Sequence, residues 1–307
     1  TLPDPTATTT LAPTGTPTPT PTVPPPTPTA TRSPEEALLV DDDTVVIALL
    51  GIDKKLGAKL WRTDSMILLF IQRREQRLGM LSIPRDLWVA IPGHGHNRIN
   101  TVDSLGERTK YPGGGPALLD ATLRQNLDIR IDHWIRIDFR GFKRIIDAVG
   151  GITVDVENPI TDKFPDPTLP TGTARITLPA GPHHMDGRMA LSYSRSRITT
   201  SDFDRSHRQQ QVLLALWRTA LKPENLTKAP RLWAEFKDSF ETDMSMIQAV
   251  QLAYVCYGIG LENAHSRHLG YDTTRPWTTP QGAQVLLPRP EAIEQIISDM
   301  VSFQPHE

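Results

Sequence analysis

The stretch YSRSRITTSDFDRSHRQQQ, residues 193–211, places arginines at 195, 197 and 205 among hydroxyls and carboxylates. A guanidinium is permanently charged and planar, and its paired N–H groups match phosphate oxygens better than an ammonium does. Read as a strand, 191–197 alternates faces. Arg195 and Arg197 then fall on the side of Leu191 and Tyr193, and Ser194 and Ser196 on the other. Ser201 or Asp202 suits the N-cap of a helix starting near Phe203, which sets Arg205 and Gln209 one turn apart on one face. Arginines on an inward strand face followed by an arginine in the first turn of a helix point to an anion site, with phosphate the best fit. A solvated basic strand edge and an exposed helix would show the same residues without that chemistry.

Two further patches suit the same ligand. Asp53 closes one apolar run and Asp64 opens the next, so two carboxylates meet at adjacent strand ends. A hard divalent cation such as Mg²⁺ takes one or two carboxylates together with substrate phosphates. A turn and a cap would use the same residues. Arg85, in SIPRD, follows a proline at a strand end, where an ordinary surface ion pair is the alternative. The histidine pairs in PGHGHNR and GPHHMDG lie in Gly/Pro loops with no third ligand in view, so they read as structural or exposed. Asn225 opens NLT, a glycosylation acceptor pattern. Cys256, the one cysteine, excludes a disulfide framework and reads as a buried thiol in an apolar helix.

The elements that must position these groups follow from the hydrophobic pattern. With 307 residues, 38% of them hydrophobic and 22% charged, the composition is globular. A net charge of −2 argues against broad nucleic-acid binding, which needs a basic surface. Residues 1–34 are dominated by Thr and Pro and cannot form a core, so 1–40 is expected to be a disordered extracellular stalk. The chain opens with Thr and contains no long apolar run, so a membrane anchor is expected upstream in the full-length protein. From residue 41 to 307 one domain is expected. Strands are predicted at 44–53, 64–72, 77–86, 133–138 and 152–156. Helices are predicted at 115–127, 141–151, from about 203, and at 292–301. The Pro-rich segment 159–172 reads as a loop over one sheet edge. The mixture predicts an α/β fold, an α-β-α sandwich with a central mixed β-sheet.

Several blocks in order, LGID, RTDSMILL, LSIPRDLWVAIPG, NRIN, IDFRGFKRIIDAVGGITVDV, LPAGPHHMDGRMALSYSRSR and SDFDRSHRQQQVL, resemble the LytR–CpsA–Psr family. The resemblance runs from about residue 44 to 220, and the rest fits the same domain. Members are bacterial, membrane-anchored and extracytoplasmic. They transfer lipid-linked glycopolymers from polyprenyl pyrophosphate onto peptidoglycan. The resemblance implies that Asp53 and Asp64 hold Mg²⁺ on the pyrophosphate, and that Arg85, Arg195 and Arg197 bind its oxygens. It sets Asp202, Arg205 and Gln209 near the head group, with Arg62 at the basic position before the second aspartate. Arg98 stands where the family commonly has Lys, and Asp204 where it usually has Gly. The segment KKLGAKLWRT between the aspartates is less typical.

The implied reaction is phosphoryl transfer, which relies on positioning and charge neutralisation. A peptidoglycan sugar hydroxyl attacks the phosphorus nearer the glycopolymer, polyprenyl phosphate leaves, and Asp202 is the candidate proton acceptor. The lipid tail needs an apolar channel, expected along the face of Leu191 and Tyr193. The rival readings are a non-catalytic binder of polyprenyl pyrophosphates, a pyrophosphatase in which water replaces the sugar, and a transcriptional regulator. The last conflicts with the near-neutral charge and the stalk.

Overall fold

A computed structural model of the chain describes residues 40, 43–54, 60–166, 168–169, 171–196, 202–226, 233–234, 239–260 and 263–302. The Thr/Pro stalk and Arg197 lie outside them, as does the side chain of Asp202. The elements are β1 (Thr44–Ile52), β2 (Thr63–Gln72), β3 (Arg77–Ser82), β4 (Trp88–Ile91), β5 (Gly95–Arg98), α1 (Val102–Thr109), α2 (Gly114–Leu127) and β6 (His133–Asp138). They continue with α3 (Phe139–Ala148), β7 (Ile152–Val156), β8 (Ile160–Pro165), β9 (Thr173–Leu178), β10 (Gly181–Met185), α4 (Gly187–Arg195), α5 (Asp202–Ala220) and α6 (Pro223–Leu226). The last are β11 (Phe240–Thr242), α7 (Met246–Ile259), β12 (Ala264–His268), β13 (Thr274–Thr278), β14 (Gln284–Pro288) and α8 (Pro290–Ser302).

The central sheet runs β11-β6-β1-β2-β3-β12. It is mixed: β6 is parallel to β1 and β12 to β3, while β1–β2, β2–β3 and β11–β6 are antiparallel. The near-continuous apolar runs of β1 and β2 follow from burial on both faces. On one face Val46, Ala48, Leu50, Leu68 and Phe70 pack with Val102 of α1, Leu118 and Leu119 of α2, and Ile293 and Ile297 of α8. On the other, Ile47, Ile67 and Leu69 pack with Leu252, Cys256 and Ile259 of α7, with Leu213 and Trp217 of α5 alongside. Helices on both faces make the expected α-β-α sandwich. A second core joins Ile146 of α3, Val154 of β7, Phe164 of β8, Tyr193 of α4 and Val212 of α5.

Three local readings are corrected. The stretch ending in Arg195 is helix α4, not a strand. Asp186 is its N-cap, with the carboxylate accepting from the Met189 amide at 2.7 Å. Met189, Ala190 and Tyr193 then face the second core at helical spacing. A serine at every second position is compatible with either period, and the upstream cap decides between them. Residues 160–165 and 173–178 pair as a hairpin, so the Pro-rich segment is not simply a loop. The third predicted strand ends at Ser82, and Pro84 opens a turn closed by the Leu87 amide donating to its carbonyl at 3.0 Å. The Gly pair after α3 ends the helix as expected, with Gly150 and Gly151 at φ 83° and 85° and the Gly151 amide donating to Ile146 O.

Candidate active site

Where β1 and β2 separate, Gly51 pairs with Ser65 but Ile52 pairs with Thr63, so Asp64 is the extra residue of a β-bulge. A regular strand would send Asp64 and Ser65 to opposite faces. The bulge lets both line one cavity of about 780 Å³ between the sheet and α3, α4 and α5. Gly51 suits this spot, because a Cβ there would lie 3.0 Å from the Ser65 Cβ.

Each wall of the cavity changes from polar to apolar along its length. On the sheet, Asp64 and Ser65 precede Ile67, and Leu49 and Ile135 lie on the same side. On α5, Arg205 and Gln209 precede Val212, Leu213 and Leu216 by whole turns. On α3, the N-cap Asp138 and Phe139 precede Phe142 and Ile145. On α4, Leu191 precedes Ser194 and Arg195. The helices pack closely enough to fix this arrangement: a Cβ on Gly187 would sit 2.4 Å from Lys143 O of α3. The result is a compartment with an aliphatic and aromatic body and a polar end carrying guanidiniums.

At the polar end Arg85 Nη1 lies 3.2 Å from Asp64 Oδ1, and its Nε lies 3.2 Å from Asp86. Ser65 Oγ donates to Gln209 Oε1 at 2.9 Å, tying α5 to the bulge. Arg205 is only 5% exposed although charged. The Arg195 guanidinium stands 4.3 Å from the Phe139 ring centroid, a cation–π contact at the last turn of α4. That turn is also where a helix dipole favours a cation. Among the described residues Arg195 makes no ion pair, which leaves its N–H groups for a ligand.

The sequence-predicted residues therefore divide. Asp64, Arg85, Leu191, Arg195, Arg205 and Gln209 come together around the cavity. Asp53 sits just past β1, one step beyond the bulge. Its amide donates to Arg62 O at 3.1 Å, and its Oδ1 accepts from the Arg62 amide at 2.7 Å. Neither Asp53 nor the exposed Arg62 lines the cavity. Arg98 is one carboxylate removed: its Nε is 3.1 Å from Asp86, and its Nη2 donates to Gln284 O at 2.7 Å. Tyr193 is excluded from the cavity, because on a helix it turns away from Arg195. It is buried in the second core, where its hydroxyl donates to Gln211 at 2.7 Å. Burial pushes its phenol up to about 12, although nearby Arg208 opposes the shift.

Sequence reasoning missed Ser65, Asp138, Asp162 and Ser194 in the lining. Asp162 comes from the hairpin mistaken for a loop and accepts a short hydrogen bond from Ser196. Arg208, also missed, is buried and donates to Ser196 O at 2.6 Å, holding the end of α4. Burial pulls its guanidinium below the usual arginine range, against the attraction of Asp204 and Asp162. Asn225 of the NLT pattern is buried and donates to Thr219 O at 2.8 Å, while Thr227 lies outside the described residues. Among the described residues no three His, Cys, Asp or Glu side chains form a metal cluster, and no helix is long and apolar enough to cross a membrane.

Comparison with known proteins gives a consistent set. A family model, LytR_cpsA_psr family, matches residues 25–296. The polyisoprenyl-teichoic acid–peptidoglycan teichoic acid transferase TagU of Oceanobacillus iheyensis is 35% identical over 211 residues, 68% of this chain and 62% of its own length. The Bacillus subtilis transferase TagT, of the same designation, is 33% identical over 178 residues, 57% of this chain and 52% of its own. The chain thus spans between half and two thirds of these relatives. Among solved structures, B. subtilis TagV superposes with a TM-score of 0.68 at 26% identity, over 86% of this chain and 100% of that one. TagT bound to LI-WTA gives 0.65 at 25% identity, over 85% and 90%.

Proposed function

The chain belongs to the LytR–CpsA–Psr family, and from that premise we propose that it transfers a glycopolymer from a polyprenyl-pyrophosphate carrier to a peptidoglycan sugar hydroxyl. The observation that carries the reading is the polarity gradient of the cavity. An aliphatic tail fits among Leu49, Ile67, Ile135, Leu213 and Leu216, and a pyrophosphate fits at Arg85, Arg195 and Arg205. A relative named for polyisoprenyl-linked teichoic acid transfer and a neighbour solved with LI-WTA support the same substrate class.

The reaction asks little covalent chemistry of the protein. The acceptor oxygen forms a bond to the phosphorus nearer the glycopolymer, and the bond from that phosphorus to the bridging oxygen breaks. Polyprenyl phosphate departs with the electron pair, and the hydroxyl proton passes to a carboxylate, for which Asp202 is the candidate. Arg195, preset by its stack on Phe139, and the buried Arg205 offset charge on the transferred phosphoryl oxygens. Arg85, held between Asp64 and Asp86, stands beside the leaving group. The donor set at the bulge suits Mg²⁺. Asp64 presents a hard oxygen to the cavity, and Asp53, with one oxygen engaged by the Arg62 amide, retains a second. Such an ion would supply neutralisation of the leaving phosphate. The N-terminal Thr/Pro segment is proposed as a spacer between the domain and the outer face of the cell membrane.

Incubation with a short-chain polyprenyl-pyrophosphate glycan and peptidoglycan fragments, read by mass spectrometry, tests this reading. Glycan joined to peptidoglycan through one phosphate, together with polyprenyl phosphate, is the expected product pair. Release of glycan phosphate into water would make the protein a pyrophosphatase. Tight binding without turnover would make it a carrier-binding module.

A further inference from the structure

On the face of the sheet away from the cavity, β6 carries a buried cation that the proposed chemistry does not use. Ile135 and Ile137 line the cavity, so the intervening Arg136 projects to the opposite side. It is 4% exposed and meets three carboxylates: Asp103 Oδ1 at 2.5 Å, Glu107 Oε1 at 3.0 Å and Glu241 Oε2 at 2.5 Å. Burial alone would lower its proton affinity, but these carboxylates raise it overall. Two indole rings flank the guanidinium, Trp134 at 5.2 Å and Trp61 at 5.4 Å.

Trp61 gives this cluster its direction. Its Nε1 donates to Asp103 Oδ2 at 2.8 Å, and Lys54 Nζ lies 4.8 Å from its ring and 3.7 Å from Glu241. Both Lys54 and Trp61 belong to the connection between the two aspartates. Trp61 is joined directly to Arg62, whose amide and carbonyl make the paired hydrogen bonds to Asp53. An unbroken series of contacts therefore runs from Arg136 through Trp61 and the Arg62 backbone to the Asp53 carboxylate. Buried ionic clusters stabilise folds poorly, since apolar residues of the same volume often do as well, but they do impose geometry. The buried Asp103, paired with the guanidinium and accepting from the indole N–H, together with the ring contact, holds Trp61 in one orientation.

We propose that Arg136 and Trp61 are positioning residues that clamp the chain at Trp61 and Arg62, just before β2, and so fix the Asp53 carboxylate at the end of β1. The consequence for a phosphate-bound cation rests on the function proposed above, whereas the clamp itself does not. Trp61→Leu removes both the Nε1 donor and the ring while leaving the Arg136–carboxylate cluster intact, so it is the informative variant. Trp61→Phe keeps the ring alone. Arg136→Met leaves buried Asp103 unpaired and is open to global unfolding.

The full chain is compared as wild type, Trp61→Leu, Trp61→Phe and Asp53→Asn. Residue-resolved hydrogen exchange is read at the Arg62 amide, and Mn²⁺ half-saturation is measured by water-proton relaxation with geranyl pyrophosphate present. Trp61→Leu should speed exchange at Arg62 about tenfold or more, as expected of a local opening, with β6 and α1 unchanged. It should raise Mn²⁺ half-saturation by roughly the same factor, with Trp61→Phe intermediate. Exchange at Arg62 unchanged in Trp61→Leu overturns the clamp. So does faster exchange with wild-type Mn²⁺ binding, provided that Asp53→Asn weakens it. If Asp53→Asn binds Mn²⁺ like wild type, the metal reading falls, and exchange at Arg62 alone judges the clamp.

Discussion

Replacement of Arg195 by Lys isolates geometry from charge at the polar end of the cavity. Lysine keeps the cation but loses the planar fork and the stack 4.3 Å from the Phe139 centroid. The stack contributes about 0.5–2 kcal/mol depending on desolvation. A preorganised donor to a transition-state oxygen contributes about 3–4 kcal/mol. At about 1.36 kcal/mol per decade, turnover should fall roughly 10²- to 10³-fold. Helix α4 also predicts different behaviour for the two neighbouring serines. Ser194 lies on the cavity wall, so Ser194→Ala should alter donor KM more than melting. Ser196 is buried, gives its hydroxyl to Asp162, and accepts from Arg208 through its carbonyl. Ser196→Ala removes one hydrogen bond to the Asp162 carboxylate, a loss of about 1.5–3 kcal/mol in stability. The strand reading expects both serines to be neutral. Donor consumption at matched folded fraction, with thermal melts of the same samples, separates the cases. Wild-type rates in Arg195→Lys would refute the pyrophosphate role, and a neutral Ser196→Ala would refute the proposed α4 terminus.

Three other expectations follow from the same geometry. Asp64→Asn removes a charge that faces the cavity and pairs with Arg85, so turnover and its EDTA sensitivity should both drop while the fold persists; turnover indifferent to EDTA and to the substitution removes the metal role. Tyr193 is raised by burial from 10 to about 12, so the folded state holds its proton where the unfolded chain has released it. Its contribution is complete below pH 10 and is lost as pH rises toward 12, and Tyr193→Phe should flatten that part of a stability–pH curve. The Cys256 thiol is likewise pushed up to about 12 by burial in α7, so alkylation near pH 8 should proceed only as fast as the protein opens; rapid labelling of the native protein would place the thiol at the surface.

The sandwich was legible because its strongest signals are local. The apolar runs read at 44–53 and 64–72, a stripe on α5 and the Gly pair after α3 each report one element with little help from the rest. The candidate site was legible where a residue type has few uses, as with arginines beside an apolar wall. It was misread where two periods fit one string. In SYSRSR the serines recur at every second position, and only Asp186, far enough upstream to be overlooked, sets the helical frame that turns Tyr193 inward and Ser194 to the cavity. The residues missed altogether act through contacts distant in sequence. Ser65 meets Gln209, Asp162 meets Ser196, and Arg136 meets Asp103, and no spacing rule joins such pairs.

The bulge at Asp64 links the two faces of the sheet. Strand alternation gives adjacent residues to opposite faces. Without the irregularity between Gly51 and Ile52, Asp64 and Ser65 would therefore not share a cavity. An inserted residue is left unpaired and disrupts the ladder locally. Ser65 is held on the cavity side by Gln209, and the chain just before the bulge is held on the far side through Trp61 and Arg136. The bulge at Asp64 is thus flanked by a helix that lines the cavity and by a stretch of chain tied to a buried cation that never reaches it. A substitution on the far face should consequently disturb cation binding before it disturbs the cavity's apolar body, where Leu49, Ile67 and Ile135 are held by strand pairing and by packing against the core shared with α5 and α7.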